Sequence, residues 1–217
     1  MSQAKIAIVD YQLSNLYSVK HACDFVGLNT KITSKNTEIS KADAIILPGV
    51  GAFGDAMINL NKLGLTKTIK NFVKTGKPMM GVCLGLQLLF TESEEFGQHQ
   101  GLDLIPGKVI KFPAENDDGE KIKVPHMGWN KIYAKKKDQS NWQGTPLEKN
   151  KQEEYMYFVH SYFVKPNDKK VILSLTNYSG LEYCSSLKKN NIFAVQYHPE
   201  KSGSAGLKIY KQWSNSI

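Results

Sequence analysis

Arginine is absent from the 217 residues, so lysine supplies all 28 basic side chains. Bidentate recognition of guanine or phosphate leans on the planar guanidinium fork, which this chain does not have. The net charge of +8 therefore reads as a solvated basic surface or a face for an acidic protein partner, not as a nucleic-acid site. The lysines are also scattered, apart from short runs such as Lys135-Lys136-Lys137 and Lys188-Lys189. Cysteine is sparse: Cys23, Cys83 and Cys184 are odd in number and show no metal-ligand spacing, which fits a reduced, cytoplasmic protein with no metal site. No apolar run reaches the roughly 18 residues of a membrane span. Met1 to Lys5 lead straight into Ile6-Ala7-Ile8-Val9 without the form of a signal peptide. Internal repeats, low-complexity tracts and convincing linkers are missing as well, so one domain over 1–217 is expected.

The first half alternates strand and helix signals. Lys5 to Asp10 reads as a buried strand, and Leu16, Val19, Cys23 and Val26 then recur at helical spacing up to Gly27. Leu28 to Thr33 and Ala44 to Leu47 read as two further strands. Leu65, Ile69, Phe72 and Val73 mark another helix, and Met79 to Val82 a fourth strand. Such alternation predicts an α/β fold: a central, mainly parallel sheet covered by helices, with ligands at the carboxyl ends of its strands. The second half reads as strands at Val109–Phe112, Lys131–Lys135, Tyr155–Val164, Val171–Asn177, Glu182–Leu187 and Ile192–Gln196. These are expected as antiparallel additions to the core, followed by a last helix over Ser204–Ser214.

Three stretches carry chemistry. In Gly81-Val82-Cys83-Leu84-Gly85-Leu86-Gln87 a cysteine sits where a strand turns into a helix, continued by Leu86 to Phe90. A turn that tight needs glycine on either side, and the helix's free N–H groups favour a thiolate. Taken by itself the stretch also fits a small buried core cysteine beside a packing glycine. A nucleophilic cysteine needs a base and the base an orienting group. Of the five histidines, His21 falls in a helix and His99 in a polar loop, and neither suggests a site. His198, in Gln196-Tyr197-His198-Pro199-Glu200, follows a strand, and Pro199 biases it to extended backbone. In extended chain His198 and Glu200 project to one side, so the carboxylate can hold one ring nitrogen and leave the other for the cysteine. An ordinary exposed His-Pro turn is the alternative for that stretch. Pro48-Gly49-Val50-Gly51 suits close backbone approach to a ligand, or a peptide that reorients; it lacks the lysine and hydroxyl of a Walker loop.

Together these stretches resemble the class I, triad-type glutamine amidotransferases, a flavodoxin-like family, along nearly the whole chain. Within them the resemblance is strongest to the glutaminase subunits of imidazole glycerol phosphate synthase. The narrower likeness rests on Pro48 to Phe53, Pro125-His126-Met127-Gly128-Trp129-Asn130, Tyr157 to Tyr162 and Glu200-Lys201-Ser202-Gly203. It implies that Cys83 attacks the amide of glutamine, His198 protonates the departing ammonia and Glu200 orients His198. It implies an oxyanion hole from the amides of Leu84 and the Val50–Gly51 region, the latter after a reorientation. Gly51, Gln87, Glu95, Ser161 and Tyr162 would hold the glutamine. The ammonia would pass to a (β/α)₈-barrel cyclase docked near Asn15, Pro125 to Asn130 and Tyr157, and no cofactor is implied.

One departure is visible. The family usually has Asp-Tyr-Gly-x-Gly-Asn after the first strand, whereas Gln12 and Ser14 replace both glycines in Asp10-Tyr11-Gln12-Leu13-Ser14-Asn15. Two other readings stay open at this point. One is a paralogous glutaminase that feeds a cyclase-like partner in surface-polysaccharide sugar modification. The other is a stand-alone cysteine hydrolase.

Overall fold

The computed structural model describes residues 4–13, 15–134 and 142–217. Ser14 and the Lys135-Lys136-Lys137 run lie outside the described residues, as do the first three residues.

Ile6-Ala7-Ile8-Val9 is buried at every position, as a strand covered on both faces must be. It forms β1 (Ile6–Val9) and is followed by α1 (Leu16–Phe25), β2 (Thr30–Thr33), α2 (Asn36–Lys41), β3 (Ala44–Gly49), α3 (Phe53–Lys62) and α4 (Leu65–Lys74). Then come β4 (Met79–Cys83), α5 (Leu84–Leu88), β5 (Phe90–Ser93), β6 (His99–Gln100), β7 (Ile105–Lys111) and β8 (His126–Ala134). The chain continues through β9 (Glu154–His160), β10 (Tyr162–Pro166), β11 (Ile172–Tyr178), β12 (Leu181–Lys189), β13 (Ile192–Val195) and α6 (Gly203–Trp213). Strand order is β2-β1-β3-β4-β13-β12-β10-β7-β5-β6, with β11, β8 and β9 branching from β12.

Alternation along the strands divides the core into two layers. Ala7, Val9, Ile45, Leu47 and Ala194 face α2, α3, α4 and α5, burying Ile39, Phe53, Leu60, Ile69 and Phe72. Ile8, Ile46, Val82, Phe193 and Val195 face α1 and α6, burying Val19, Cys23, Ile209, Tyr210 and Trp213. The α/β expectation holds. No helix among the described residues is long and apolar enough to cross a membrane.

Several local expectations change. The helix expected through Leu86–Phe90 stops at Leu88, and Phe90 already starts β5. His99 sits in a short strand, not a loop. Tyr155–Val164 is two strands broken at Ser161, because β9 pairs with β8 while β10 pairs with β7 and β12. The strand expected at Lys131 starts earlier, so the Pro125–Asn130 stretch is itself largely ladder from His126 on. Helices α2 and α3 have no counterpart among the expected elements. Most consequential is β13: it pairs antiparallel with β12 but parallel with β4, and so belongs to the parallel core.

Candidate active site

Val195 lies opposite Val82 in the parallel β13–β4 pair, and Gly49 opposite Cys83 in β3–β4. Three carboxyl-terminal strand ends therefore converge, bringing Pro48–Gly51, Cys83 and His198 to one edge. Cys83 is buried and held at φ 55°, ψ −111°, a conformation that L residues adopt only at a cost of order 1–3 kcal/mol. The flanking glycines have specific reasons to be there. A Cβ at Gly85 would run into the Leu47 carbonyl, and one at Gly81 would crowd Ala194 and Gly85 at 3.1 Å.

His198 leaves β13 in extended conformation at φ −104°, ψ 93°, and Pro199 then opens a 3-10 turn over Pro199–Lys201. Glu200 therefore reaches the ring through a turn, not through the extended chain expected from the sequence. Its Oε1 lies 2.8 Å from His198 Nδ1, with both side chains almost fully buried. The turn is well anchored. Ser202 Oγ donates to the His198 carbonyl at 2.6 Å and accepts from the Tyr157 amide at 3.0 Å, while His198 N–H donates to the Tyr157 carbonyl at 2.9 Å. Gly206 lets α6 pack on the turn, since a Cβ there would meet the Pro199 carbonyl. Burial alone would push the His198 imidazole down, but the Cys83 sulfur and then the Glu200 carboxylate outweigh it, and the group sits well above its ordinary value. That balance favours the charged imidazolium form of His198 beside Cys83 and Glu200.

A cavity of about 190 Å³ opens beside the thiol, lined by Val50, Gly51, Cys83, Leu84, Gln87, Glu95, Val159, His160, Ser161 and Tyr162. This is small for a ligand site and suits a molecule of amino-acid size. A cavity of about 520 Å³ lies at the opposite strand ends, around Pro78, Ile192 and Trp213, away from Cys83. Glu95 Oε2 accepts from the Phe53 amide at 2.6 Å, and burial raises its carboxyl above the usual range. Gln87 is turned inward: its Nε2 donates to the Tyr162 carbonyl at 2.9 Å and to Gln196 Oε1 at 3.2 Å. The Val50 amide does not face the thiol; it donates to the Leu13 carbonyl at 3.3 Å.

All the residues expected around glutamine thus line one cavity, and the expected triad converges beside it. The residues expected at a partner face divide. Met127 and Trp129 are 66% and 56% exposed, and Pro125 is exposed too. Asn15, Gly128, Asn130 and Tyr157 are half-buried, whereas His126 is buried and turned inward. Gln12, at a position where the resemblance leads one to expect glycine, holds a left-handed backbone at φ 70°. Two contributors were not visible in the sequence. Gln196 Nε2 donates to Cys83 Sγ at 3.9 Å, and Tyr11 Oη donates to the Pro48 carbonyl at 2.8 Å. Gln196 stands beside Tyr197-His198, but nothing local to it signals a reach to Cys83.

An α/β sheet with a cysteine elbow and a histidine–carboxylate pair at its strand ends has the parts that a thiol nucleophile needs: a base and a group to orient the base. The family description "Glutamine amidotransferase class-I" matches residues 7–213. The chain belongs to that family. More particularly, it resembles proteins named imidazole glycerol phosphate synthase subunit HisH. The one from Syntrophotalea carbinolica is 44% identical over 97% of this chain and 99% of its own. The one from Listeria monocytogenes serotype 4a is 46% identical over 95% and 93%. Among solved structures, PurLQS from Thermotoga maritima matches at a TM-score of 0.71 and 18% identity, covering 99% of both chains. The glutaminase domain of CTPS from Trypanosoma brucei matches at 0.65 and 16%, covering 99% and 93%. At those identities the structures speak for the fold.

Proposed function

We propose that this chain is the glutaminase subunit of an imidazole glycerol phosphate synthase, acting in the cytoplasm as a single domain that hydrolyses glutamine and hands ammonia to a (β/α)₈-barrel cyclase. The observation that carries the reading is the buried His198–Glu200 pair, 2.8 Å apart, beside a cysteine held at φ 55°.

The Cys83 thiolate attacks the side-chain carboxamide carbon of glutamine. The tetrahedral oxyanion collapses with C–N cleavage as His198 gives its ring proton to the leaving nitrogen, and ammonia departs. A glutamyl thioester remains. Neutral His198 then takes a proton from water, the hydroxide adds to the thioester, C–S cleavage releases glutamate, and the proton returns the ring to its starting state. Glu200 keeps the ring oriented and favours its charged form throughout. Glu95, Gly51, Gln87, Ser161 and Tyr162 bind the glutamine amino and carboxylate groups.

The oxyanion hole takes one donor from the Leu84 amide and a second from the Val50–Gly51 peptides. The Val50 amide, bonded to Leu13, supports a resting state in which the second donor is withheld. A missing donor costs about 10²–10³ in rate in other enzymes, so docking of the cyclase acts as the on-switch. Exposed Trp129 and Met127, with Pro125, Gly128, Asn130, Tyr157 and Asn15 around them, form the docking face. Ammonia enters the cyclase reaction that makes imidazole glycerol phosphate and an aminoimidazole carboxamide ribotide, a step of histidine biosynthesis.

The test is ammonia release from glutamine by the chain alone, then with the cyclase and its ribonucleotide substrate. Strong stimulation by both together is expected, and Cys83→Ala abolishes it. Stimulation by a sugar-modifying partner in place of the cyclase would move the acceptor, and high partner-free turnover would make this a stand-alone hydrolase.

A further inference from the structure

Between half-buried Asn130 on β8 and the cavity runs a chain of hydrogen bonds whose ring members have no role in the reaction as proposed. Asn130 Nδ2 lies 3.3 Å from His126 Nε2, and His126 Nδ1 lies 3.0 Å from Tyr183 Oη. Tyr183 Oη lies 3.1 Å from His160 Nε2, and His160 Nδ1 lies 2.9 Å from the Tyr162 carbonyl. That carbonyl also accepts from Gln87, whose amide reaches Gln196 and through it Cys83. His126, His160 and Tyr183 are all buried, and His126 is sandwiched between Tyr178 at 3.9 Å and Phe158 at 4.8 Å, both rings stacked on it.

Both ends of the chain dictate its polarity. A carbonyl only accepts, so His160 carries its proton on Nδ1 and donates it to Tyr162. Burial holds this imidazole neutral, pushed down to about 3, so Nε2 accepts and the Tyr183 hydroxyl donates to it. That hydroxyl then accepts from His126 Nδ1, and His126, likewise neutral and pushed down to about 4, accepts at Nε2 from Asn130. The Asn130 amide is itself oriented, its Nδ2 donating to the Asn177 carbonyl at 2.9 Å and its Oδ1 accepting from Lys131 N–H at 2.7 Å. One arrangement of protons satisfies every member.

The inner end braces a weak point. At Ser161 the chain leaves the β8–β9 branch for the main sheet, so Ser161 lies between two ladders, its carbonyl accepting from Phe112 N–H at 3.2 Å while Tyr162 opens β10 opposite Lys111. The His160 ring spans it by bonding two residues ahead. We propose that Tyr183 is a positioning residue for the glutaminase reaction: its hydroxyl, accepting from His126 and donating to His160, locks the Ser161–Tyr162 corner where glutamine binds. This rests on the reading of the cavity as the glutamine site. The same hydroxyl ties that corner to the strand that carries Trp129. Without it, two buried ring nitrogens lose their partners and the corner loses its brace.

Tyr183→Phe removes the hydroxyl and keeps the ring. Measured with the partner subunit, its KM for glutamine rises about five- to tenfold while kcat falls less than about threefold, the pattern of lost ground-state positioning. Nitrogen-detected NMR of the wild-type histidines shows His126 and His160 neutral and protonated on Nδ1, and in the variant His160 loses its single tautomer. An unchanged KM in a folded Tyr183→Phe protein overturns the proposal. So does an Nε2-protonated His160 in the wild type, which keeps the idea falsifiable if the variant fails to fold. Wild-type protein that hydrolyses no glutamine sinks the glutaminase reading instead, while the tautomers still report on the chain.

Discussion

The Val50 amide donates to the Leu13 carbonyl at 3.3 Å, so one candidate oxyanion donor is tied to the loop that precedes α1. The neighbouring Pro48 carbonyl is held from the same side, by the Tyr11 hydroxyl at 2.8 Å. Gly49 between them has no room for a side chain, because a Cβ would meet that hydroxyl and lie 2.9 Å from the Leu84 Cβ. The peptide is thus pinned at both ends by one loop.

Loosening the Tyr11 pin is expected to favour the active arrangement. Tyr11→Phe leaves the buried Pro48 carbonyl unpaired, at about 1 kcal/mol of stability, and frees the Pro48–Val50 segment to turn. Partner-free ammonia release rises several-fold, and the ratio of stimulated to basal turnover shrinks correspondingly. A coupled glutamate dehydrogenase assay with and without the partner checks it. Lower basal turnover with unchanged stimulation would show that Tyr11 supports the active state instead.

Glu200→Gln tests the pair that carries the function. The neutral amide no longer favours the imidazolium, so kcat falls by about 10² or more. Two of the influences that raise His198 come from Glu200 and are weakened, so the ring's titration moves down. Activity is lost when the imidazolium loses its proton, and the alkaline limb of kcat/KM therefore shifts to lower pH. Because thiol and imidazole are coupled, the limb belongs to the pair and not to His198 alone. An alkaline limb that stays in place would detach Glu200 from the mechanism.

Gln12 holds φ 70° without being glycine, and its amide donates to Asp10 Oδ1 at 2.9 Å, closing the turn. The side chain is exposed, so strain is not offset by burial. Gln12→Gly is expected to stabilise the chain by up to about 1 kcal/mol, the relief of left-handed strain less the entropy glycine adds to the unfolded chain. Urea denaturation midpoints measure it. A destabilised variant would mean that the Gln12 side chain makes a contribution larger than that strain.

How much of this was legible follows from where each signal resides. The parallel core is local: each run such as Ile6 to Val9 is a short apolar stretch ended by polar or glycine residues. Cys83 between glycines and His198 ahead of Pro199-Glu200 are local too. Strand direction is not, and nothing in Ile192–Val195 distinguishes a parallel partner of β4 from an antiparallel addition. Leu86 to Phe90 fits either period over so few residues, so the switch from α5 to β5 was hidden. Gln196, Tyr11 and Tyr183 act through one or two side-chain hydrogen bonds to residues distant in sequence, and no periodicity encodes those. Gln12 and Ser14 in place of the usual glycines suggest a changed loop, and the backbone at Gln12 is left-handed and strained.

The buried histidines make acid stability a direct readout of that same interior. His160 is held neutral, pushed down to about 3 by burial, against about 6.5 in an unfolded chain. Below about pH 6.5 the unfolded state binds a proton at this site that the folded state does not. Stability therefore rises with pH through this window: the contribution is full above about pH 6.5 and is lost as pH falls toward the folded value. The slope approaches about 1.4 kcal/mol per pH unit for one fully buried histidine. His126, pushed down by burial as well, adds in the same direction. His160→Gln removes one titrating group, so it lowers stability at pH 7 but flattens the decline between about pH 6 and 5. Denaturant unfolding of both proteins at several pH values separates the two effects. Parallel pH profiles would mean that the ring takes up its proton without unfolding, which breaks the donor order through Tyr183.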